Sequence, residues 1–386
     1  MLFSEKLCIY LAVFSLVVKM VISPLATGDY QIASFRLLNY ACDAGILLSV
    51  LLYLPYTYKA FLFIHGAFWL LLFFFVLSTL IYTNAGGGAA ISQHLKVYLP
   101  LLFFSMLASY FHRNKASAVS CSRLIAIITA FLLVLGLLIL PVSMNRMEVW
   151  WPSYFGGLHT TAYMAMAVLF ISYAFVLNGR LPTKAFIAIS ALILLSIFFG
   201  WGVRTAASAI VLLILFVNLS KVKLGNAPLL LLSFPLMILA LIFILVFVVG
   251  TDEFDYLTSG RISMYQDKFK QLAGNSIINW LIGNGAGSDL IETDIWWWAA
   301  KGAHSDLLTF LVEGGMSYLL VTLAVIVNIY KLLGKSEARF FLFVFVFTST
   351  FSNGYFTRTL PAYVFLFSLA LAFAFSYAQQ EQLDEK

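Results

Sequence analysis

Six residues combine the side-chain chemistry and the setting that handling a phosphate-bearing substrate requires: Arg204, Arg261, Arg358, His159, His304 and Arg146. A guanidinium presents a planar fork of donors matched to phosphate oxygens. A histidine, with a reference pKa near about 6.5, can take a proton at neutral pH. Arg204 lies in GWGVRTAAS (200–208), where the small residues Thr205 to Ser208 leave the first amides of the next helix open. A helix N-terminus beside an arginine suits an anion, although a charge at a helix end can also simply snorkel to water. Arg261 opens TSGRISMY (258–265), and Arg358 stands before Pro361 in NGYFTRTLP (353–361). A solvated loop arginine and a snorkelling one are the plainer alternatives for these two. His304, in GAHSDLLTFLVEGG (302–315), can act as a base or as an interfacial histidine bonded to backbone. Glu313 falls about 900° further round a helix, on the opposite face, and is a poor orienter for His304. Asp306 suits the start of a helix, where acids are favoured. His159, in FGGLHTTAYMA (155–165), can line the same vestibule or be structural, and Arg36, Lys301 and Glu313 stand behind these candidates.

The elements that must position these groups follow from composition. The chain has 386 residues, of which 62% are hydrophobic and 10% charged, with a mean hydropathy of +0.96. An ordinary soluble domain is about 45–50% apolar and about 25% charged. A single globular core cannot bury this excess, so a soluble enzyme, a nucleic-acid binder and a disordered chain are excluded. The expected fold is an all-α polytopic membrane protein. A helix needs about 20 apolar residues to cross about 30 Å of hydrocarbon. Runs of this kind occur near 7–23, 36–54, 60–82, 95–111, 123–142, 158–178, 184–200, 205–219, 228–250, 305–332, 338–352 and 356–378, which predicts about twelve spans. Residues 1–250 then hold nine spans, 251–303 one long loop, and 304–386 three spans and a short tail. The first span is interrupted by Lys19 and is expected to be an uncleaved signal anchor, because SPLATG (23–28) is a poor cleavage site.

Alternating the loops puts thirteen Lys and Arg on one side and nine on the other, with Lys19 inside a span, 23 in all. Four of the nine sit in the long loop, where the positive-inside rule is weak, so both termini and the thirteen are expected in the cytoplasm and the long loop outside. The outer set has five arginines to four lysines and the cytoplasmic set four to nine, so arginine is enriched where the rule disfavours it. Phosphate handling on that face would account for the bias.

Within the long loop, Ile262, Tyr265, Phe269 and Leu272 recur at a helical period, predicting an amphipathic helix that would lie along the membrane face. GNGAG (283–287) and the cluster Trp296, Trp297 and Trp298 follow, the latter suited to headgroup level. Intramembrane charges are usually paired, which predicts a Lys19–Asp43 ion pair. Cys8, Cys42 and Cys121 have no metal or disulfide spacing, and His94, His159 and His304 show no ligand pattern, so no metal site is expected.

Four pieces occur in order: RTAAS (204–208), GRISMY (260–265), GNGAG (283–287) and AHSDLLTFLVEGG (303–315). Flanked by FGGLHTTAY (155–163) and FTRTLPAY (356–363), this succession resembles the O-antigen polymerase and ligase superfamily over roughly 155–375. Ser305 stands where many members carry Asn. The resemblance implies a fold like that of lipid-linked sugar transferases of the GT-C type. It also implies a bacterial inner-membrane location and a metal-independent glycosyl transfer at the periplasmic face, without a cofactor. The donor would be an oligosaccharide on undecaprenyl pyrophosphate, with Arg204 and Arg261 as pyrophosphate ligands, His304 as base, and Arg358, His159 and Arg146 as further contacts. Membrane lipids, a flippase and a chain-length regulator are the other implied partners, and nucleic acid is not one. The polymerase, which joins repeat units in lipopolysaccharide O-antigen biosynthesis, is favoured over the ligase, which transfers polymer to lipid A-core. A transporter or flippase of lipid-linked oligosaccharide is the alternative from another class, although no internal repeat is visible.

Overall fold

The structure, a computed structural model, describes residues 4–27, 31–83, 87–145, 148–219, 261–292, 300–334 and 338–384. Within these the chain is almost entirely helical. The first five helices are α1 (Glu5–Ala26), α2 (Ala33–Tyr53), α3 (Leu62–Tyr82), α4 (Gly87–Arg113) and α5 (Lys115–Ile139). A short hairpin, β1 (Ser143–Asn145) with β2 (Glu148–Trp150), leads to α6 (Leu158–Leu177), α7 (Thr183–Leu195) and α8 (Arg204–Leu219). The loop helices α9 (Arg261–Ala273) and α10 (Ile277–Ile282) precede α11 (Asp306–Leu332), α12 (Arg339–Phe351) and α13 (Thr359–Asp384). Among the described residues eight helices are long and apolar enough to cross a membrane, and three shorter apolar helices accompany them. The protein is an all-α polytopic membrane protein. A helix stands at eleven of the twelve predicted spans; the run 228–250 and the triple tryptophan 296–298 lie outside the described residues.

The bundle is centred on α4, α6 and α13. The most apolar stretch of α4 is 89% buried, against 28% in α2 and α5, which present exposed leucines and phenylalanines outward. Lipid tails are as apolar as leucine, so the driving force between helices is close packing and polar contact. Phe345, Tyr355, Phe356 and Phe365 supply the first between α12 and α13, with ring centroids 4.4 to 5.8 Å apart. The predicted Lys19–Asp43 pair supplies the second between α1 and α2, at 2.6 Å, and Tyr363 of α13 donates to the other Asp43 oxygen at 3.1 Å.

Two irregular joints shape the end of the bundle that carries the candidate site. The turn between α7 and α8 follows a π-helical stretch, 196–201, and is clamped by the hairpin. Trp151 N donates to Gly200 O at 2.8 Å and Trp201 Nε1 to Pro152 O at 3.1 Å. Trp150 and Trp151 lie so close to Gly202 and Gly200 that a Cβ there would stand 2.4 to 2.6 Å from their rings. The second joint is a kink in α11 at Gly315, whose φ of 69° is left-handed. GNGAG packs into this kink, with successive amides taken up internally. Asn284 N donates to Val312 O, Gly285 N to Glu313 O, Ala286 N to Thr79 Oγ1 and Gly287 N to Glu313 Oε1. The glycine-rich run and EGG are thus two halves of one backbone joint, and both Glu313 and GNGAG are spent on it.

Candidate functional site

Five helix ends converge at this joint-bearing end of the bundle: the starts of α6, α9, α11 and α13 and the end of α12. Asp306 organises the convergence. Ser305 caps α11, its Oγ accepting from Leu308 N at 3.4 Å. As expected, Asp306 stands in the first turn, but its carboxylate turns away from its own helix. Oδ2 accepts from Gly354 N at 3.0 Å and Phe356 N at 3.2 Å, and Oδ1 from Thr357 Oγ1 at 2.6 Å. This fully buried side chain bolts the segment carrying Arg358 to the foot of the helix that follows His304. Backbone amides in an irregular segment between spans need an internal partner, and a carboxylate satisfies several at once.

Arg358 is held on three sides. Its Nε donates to Asn353 O at 2.7 Å, its Nη1 to Thr160 Oγ1 at 3.1 Å, and the guanidinium sits 6.0 Å from the Tyr163 ring centre. Arg261, the first residue of α9, donates Nη1 to Phe351 O at 2.7 Å, capping the end of α12. The charges of Arg358, Arg261 and His304 all act on His159, so these four residues share one electrostatic neighbourhood. His159 Nδ1 is buried with no hydrogen-bond partner among the described residues. His304 has φ 51°, the only positive φ outside glycine among the described residues. Such a backbone costs on the order of 1–3 kcal/mol and persists where the surroundings over-determine it, commonly at functional sites.

The surroundings that hold His304 come from the loop. α9 forms where the apolar period predicted it, but Tyr265, Leu272 and Phe269 pack on Ala303, Leu308 and Val312, so this face meets α11 instead of a lipid surface. Burial pushes the Tyr265 hydroxyl up to about 12, against a smaller pull from Arg261, so it stays neutral. On the same stripe Lys268 is completely buried against Asp289, Nζ to Oδ1 3.2 Å, and Lys268 also reaches the carbonyls of Asp289 and Lys301. Asp289 Oδ2 in turn accepts from Ala303 N at 2.8 Å and Thr309 Oγ1 at 2.7 Å, one residue before and five after His304. Burial pushes the Asp289 carboxyl up and the Lys268 ammonium down, each opposed by the attraction of the other.

Of the sequence candidates, the structure therefore gathers Arg261, Arg358, His159 and His304. Arg204 is exposed at the start of α8 and is not among the charges acting on His159; Arg146 lies outside the described residues. Sequence reasoning missed Lys268, Asp289 and the clamp made by Asp306. A lysine on the apolar stripe of α9, three residues after Tyr265, was the available signal for the first, since such a lysine demands an acid. Chemically, two guanidiniums and two imidazoles share one neighbourhood, and the Asp306 carboxylate beneath Arg358 is committed to two backbone amides and the Thr357 hydroxyl. The arrangement suits an anion beside a proton acceptor. Among the described residues no group of three or more His, Cys, Asp or Glu is placed to hold a metal ion. No protein-family model matches this chain, and no curated protein is similar to it at a significant level.

Proposed function

We propose that the protein is an O-antigen polymerase, a glycosyltransferase of the bacterial inner membrane. It joins oligosaccharide repeat units carried on undecaprenyl pyrophosphate at the periplasmic face, with both termini in the cytoplasm. One observation carries the reading: Arg261, Arg358 and a His304 held at φ 51° share the electrostatic neighbourhood of His159, at one end of an all-helical membrane bundle. The resemblance of RTAAS, GRISMY, GNGAG and AHSDLLTFLVEGG to the polymerase and ligase superfamily supports it from the sequence.

In this reaction an acceptor sugar hydroxyl attacks the anomeric carbon of the donor chain. The bond from that carbon to the phosphate oxygen breaks, and the lipid pyrophosphate leaves with the bonding electrons. His304 takes the hydroxyl proton, a contribution typically of about 10²–10⁴-fold. Arg204 and Arg261 neutralise charge growing on the leaving group, as preorganised cations do in other phosphate chemistry. Arg358, fixed to Thr160, carries positive charge in the same neighbourhood as Arg261, while Arg204 would reach the pyrophosphate from the exposed start of α8. Replacing Arg204 by lysine is expected to be nearly as damaging as replacing it by alanine, because the bidentate fork is lost with the guanidinium. Wild-type activity of Arg204→Lys at normal protein level would remove that role.

The test is a lipopolysaccharide gel of a strain lacking the gene, with the lipid-carrier fraction analysed beside it. Core bearing a single repeat unit is the polymerase result. Bare core with long polymer stranded on the carrier would replace the polymerase by the ligase, and an unchanged ladder would remove both.

A further inference from the structure

Arg358 and Thr160 also form one wall of a cavity of about 510 Å³, sunk between α1, α2, α4 and the start of α13. Its volume falls in the range of roughly 300–1,000 Å³ usual for ligand sites. A smaller cavity of about 180 Å³, lined by Gln93, Thr309 and Glu313, shares Lys96 and Thr357 with it. The two thus share a wall, and Arg358 of the larger cavity belongs to the group around His304.

The lining chemistry narrows the occupant. Lys19 is neutralised by Asp43, which leaves Lys96 and Arg358 as charges. Against these two stand many neutral hydrogen-bonding groups, among them Thr27, Asn39, Tyr40, Ser92, Thr160 and Thr359. Polar groups gathered among spans are expensive and mark function by default. Asp43 is open to the cavity, its side chain 21% exposed. Each of its oxygens has one protein partner, Lys19 or Tyr363, and a carboxylate oxygen can accept a second bond. The lining also has an apolar part, Leu47, Ile91, Leu95, Phe155 and Leu360, which the C–H faces of sugar rings can cover. An acyl chain would answer these and leave the polar groups desolvated, and a small anion would answer only the two cations. A hydroxyl-rich chain answers both the hydroxyl and amide groups and the carboxylate.

We propose that this cavity is the binding site of an oligosaccharide, and, resting on the transferase reading above, that the oligosaccharide is the acceptor. Its hydroxyls bond Asp43, Asn39 and Tyr40, while Thr357 and Arg358 lead its reactive end toward His304.

The test uses the full chain in proteoliposomes. Cys42 is replaced by alanine and Ser92 by cysteine, and the new thiol is labelled with a water-soluble maleimide. The first probe is the repeat-unit oligosaccharide released by mild acid from the strain's lipid-carrier pool; the second is inorganic pyrophosphate. Only unoccupied protein labels, so the oligosaccharide at about ten times its Kd is expected to slow labelling ~10-fold, with pyrophosphate without effect. Equal protection by pyrophosphate alone would make the cavity an anion site and overturn the proposal, as would no protection by either probe. A Cβ at Gly88, on the cavity wall, meets no atom within 4 Å, so a side chain can leave the backbone there without a clash, and Gly88→Trp is the variant chosen to block the space. It is expected to abolish protection while Gly88→Ala retains it; protection that survives Gly88→Trp at normal protein level counts against the site. The gel separates the two readings: protection with an unchanged ladder in the deletion strain keeps a carbohydrate site and removes the transferase.

Discussion

The molecule contains two buried Lys–Asp pairs that do different work. Lys19–Asp43 joins two neighbouring helices, whose backbone bonds run along each helix, and borders the 510 Å³ cavity. Lys268–Asp289 is sealed, with side chains 0% and 3% exposed, and stands in irregular chain. Its aspartate accepts from Ala303 N and Thr309 Oγ1, and its lysine donates to the carbonyls of Asp289 and Lys301. The first pair is two charges and one side-chain hydroxyl, that of Tyr363, with no backbone group; the second is the hydrogen-bond framework of a loop. Replacing a buried ion pair by well-packed apolar residues is often neutral or stabilising, whereas removing one partner is costly. That rule covers the first pair and fails for the second, because an apolar residue at 289 would orphan the amide before His304.

The sharpest way to break this contrast is at Asp289. Asp289→Ala strands a buried ammonium and two donors, and is expected to cost about 3–5 kcal/mol, seen on immunoblots as loss of the protein from the membrane. The double variant Lys268→Met with Asp289→Leu is expected to stay depleted, whereas Lys19→Met with Asp43→Leu recovers a normal level. Recovery of both would show that the loop amide finds another partner and that the two pairs are alike. Next in size, Lys19→Met alone is expected to cost about 1–3 kcal/mol, since Asp43 keeps Tyr363 and an opening to the cavity. Thermal unfolding of the purified protein measures it, and a loss as large as that of Asp289→Ala would remove the distinction. Smallest in stability is His304→Gly. Glycine relieves the positive φ, so the variant is expected to gain about 1 kcal/mol and, on the proposed function, to lose O-antigen chain extension. A variant that is neither more stable nor less active would leave the strained backbone without a functional reason.

Much of this was legible in the chain. Apolar runs of span length placed eleven helices, because burial in hydrocarbon leaves a helix as the only way to satisfy the backbone locally. Period alone found α9, and intramembrane charge alone found Lys19 with Asp43, since each residue there has few places to find a counter-charge. Lys268 was missed because its stripe was counted by apolar residues only, and its acid lies 21 positions away, across a loop of no fixed period. Asp306 was placed correctly at a helix start, yet its partners, 48 to 51 positions on, belong to a different helix connection. GNGAG and EGG were noted as separate motifs; only the structure showed one to be the socket of the other.

The sequence by itself determined that the chain is a helical membrane protein, which residues could bind phosphate or take a proton, and where most helices start and stop. These follow from composition, side-chain type and local period, each a property of neighbours in the chain. The tertiary structure alone decided that His159, Arg261, His304 and Arg358 share one neighbourhood, that Arg204 starts its helix exposed, and that Arg358 also lines a cavity of mixed polar and apolar groups. Those outcomes depend on which helix ends meet and how irregular segments are bolted together. Contacts across 50 to 320 positions set them, and no local spacing encodes such contacts.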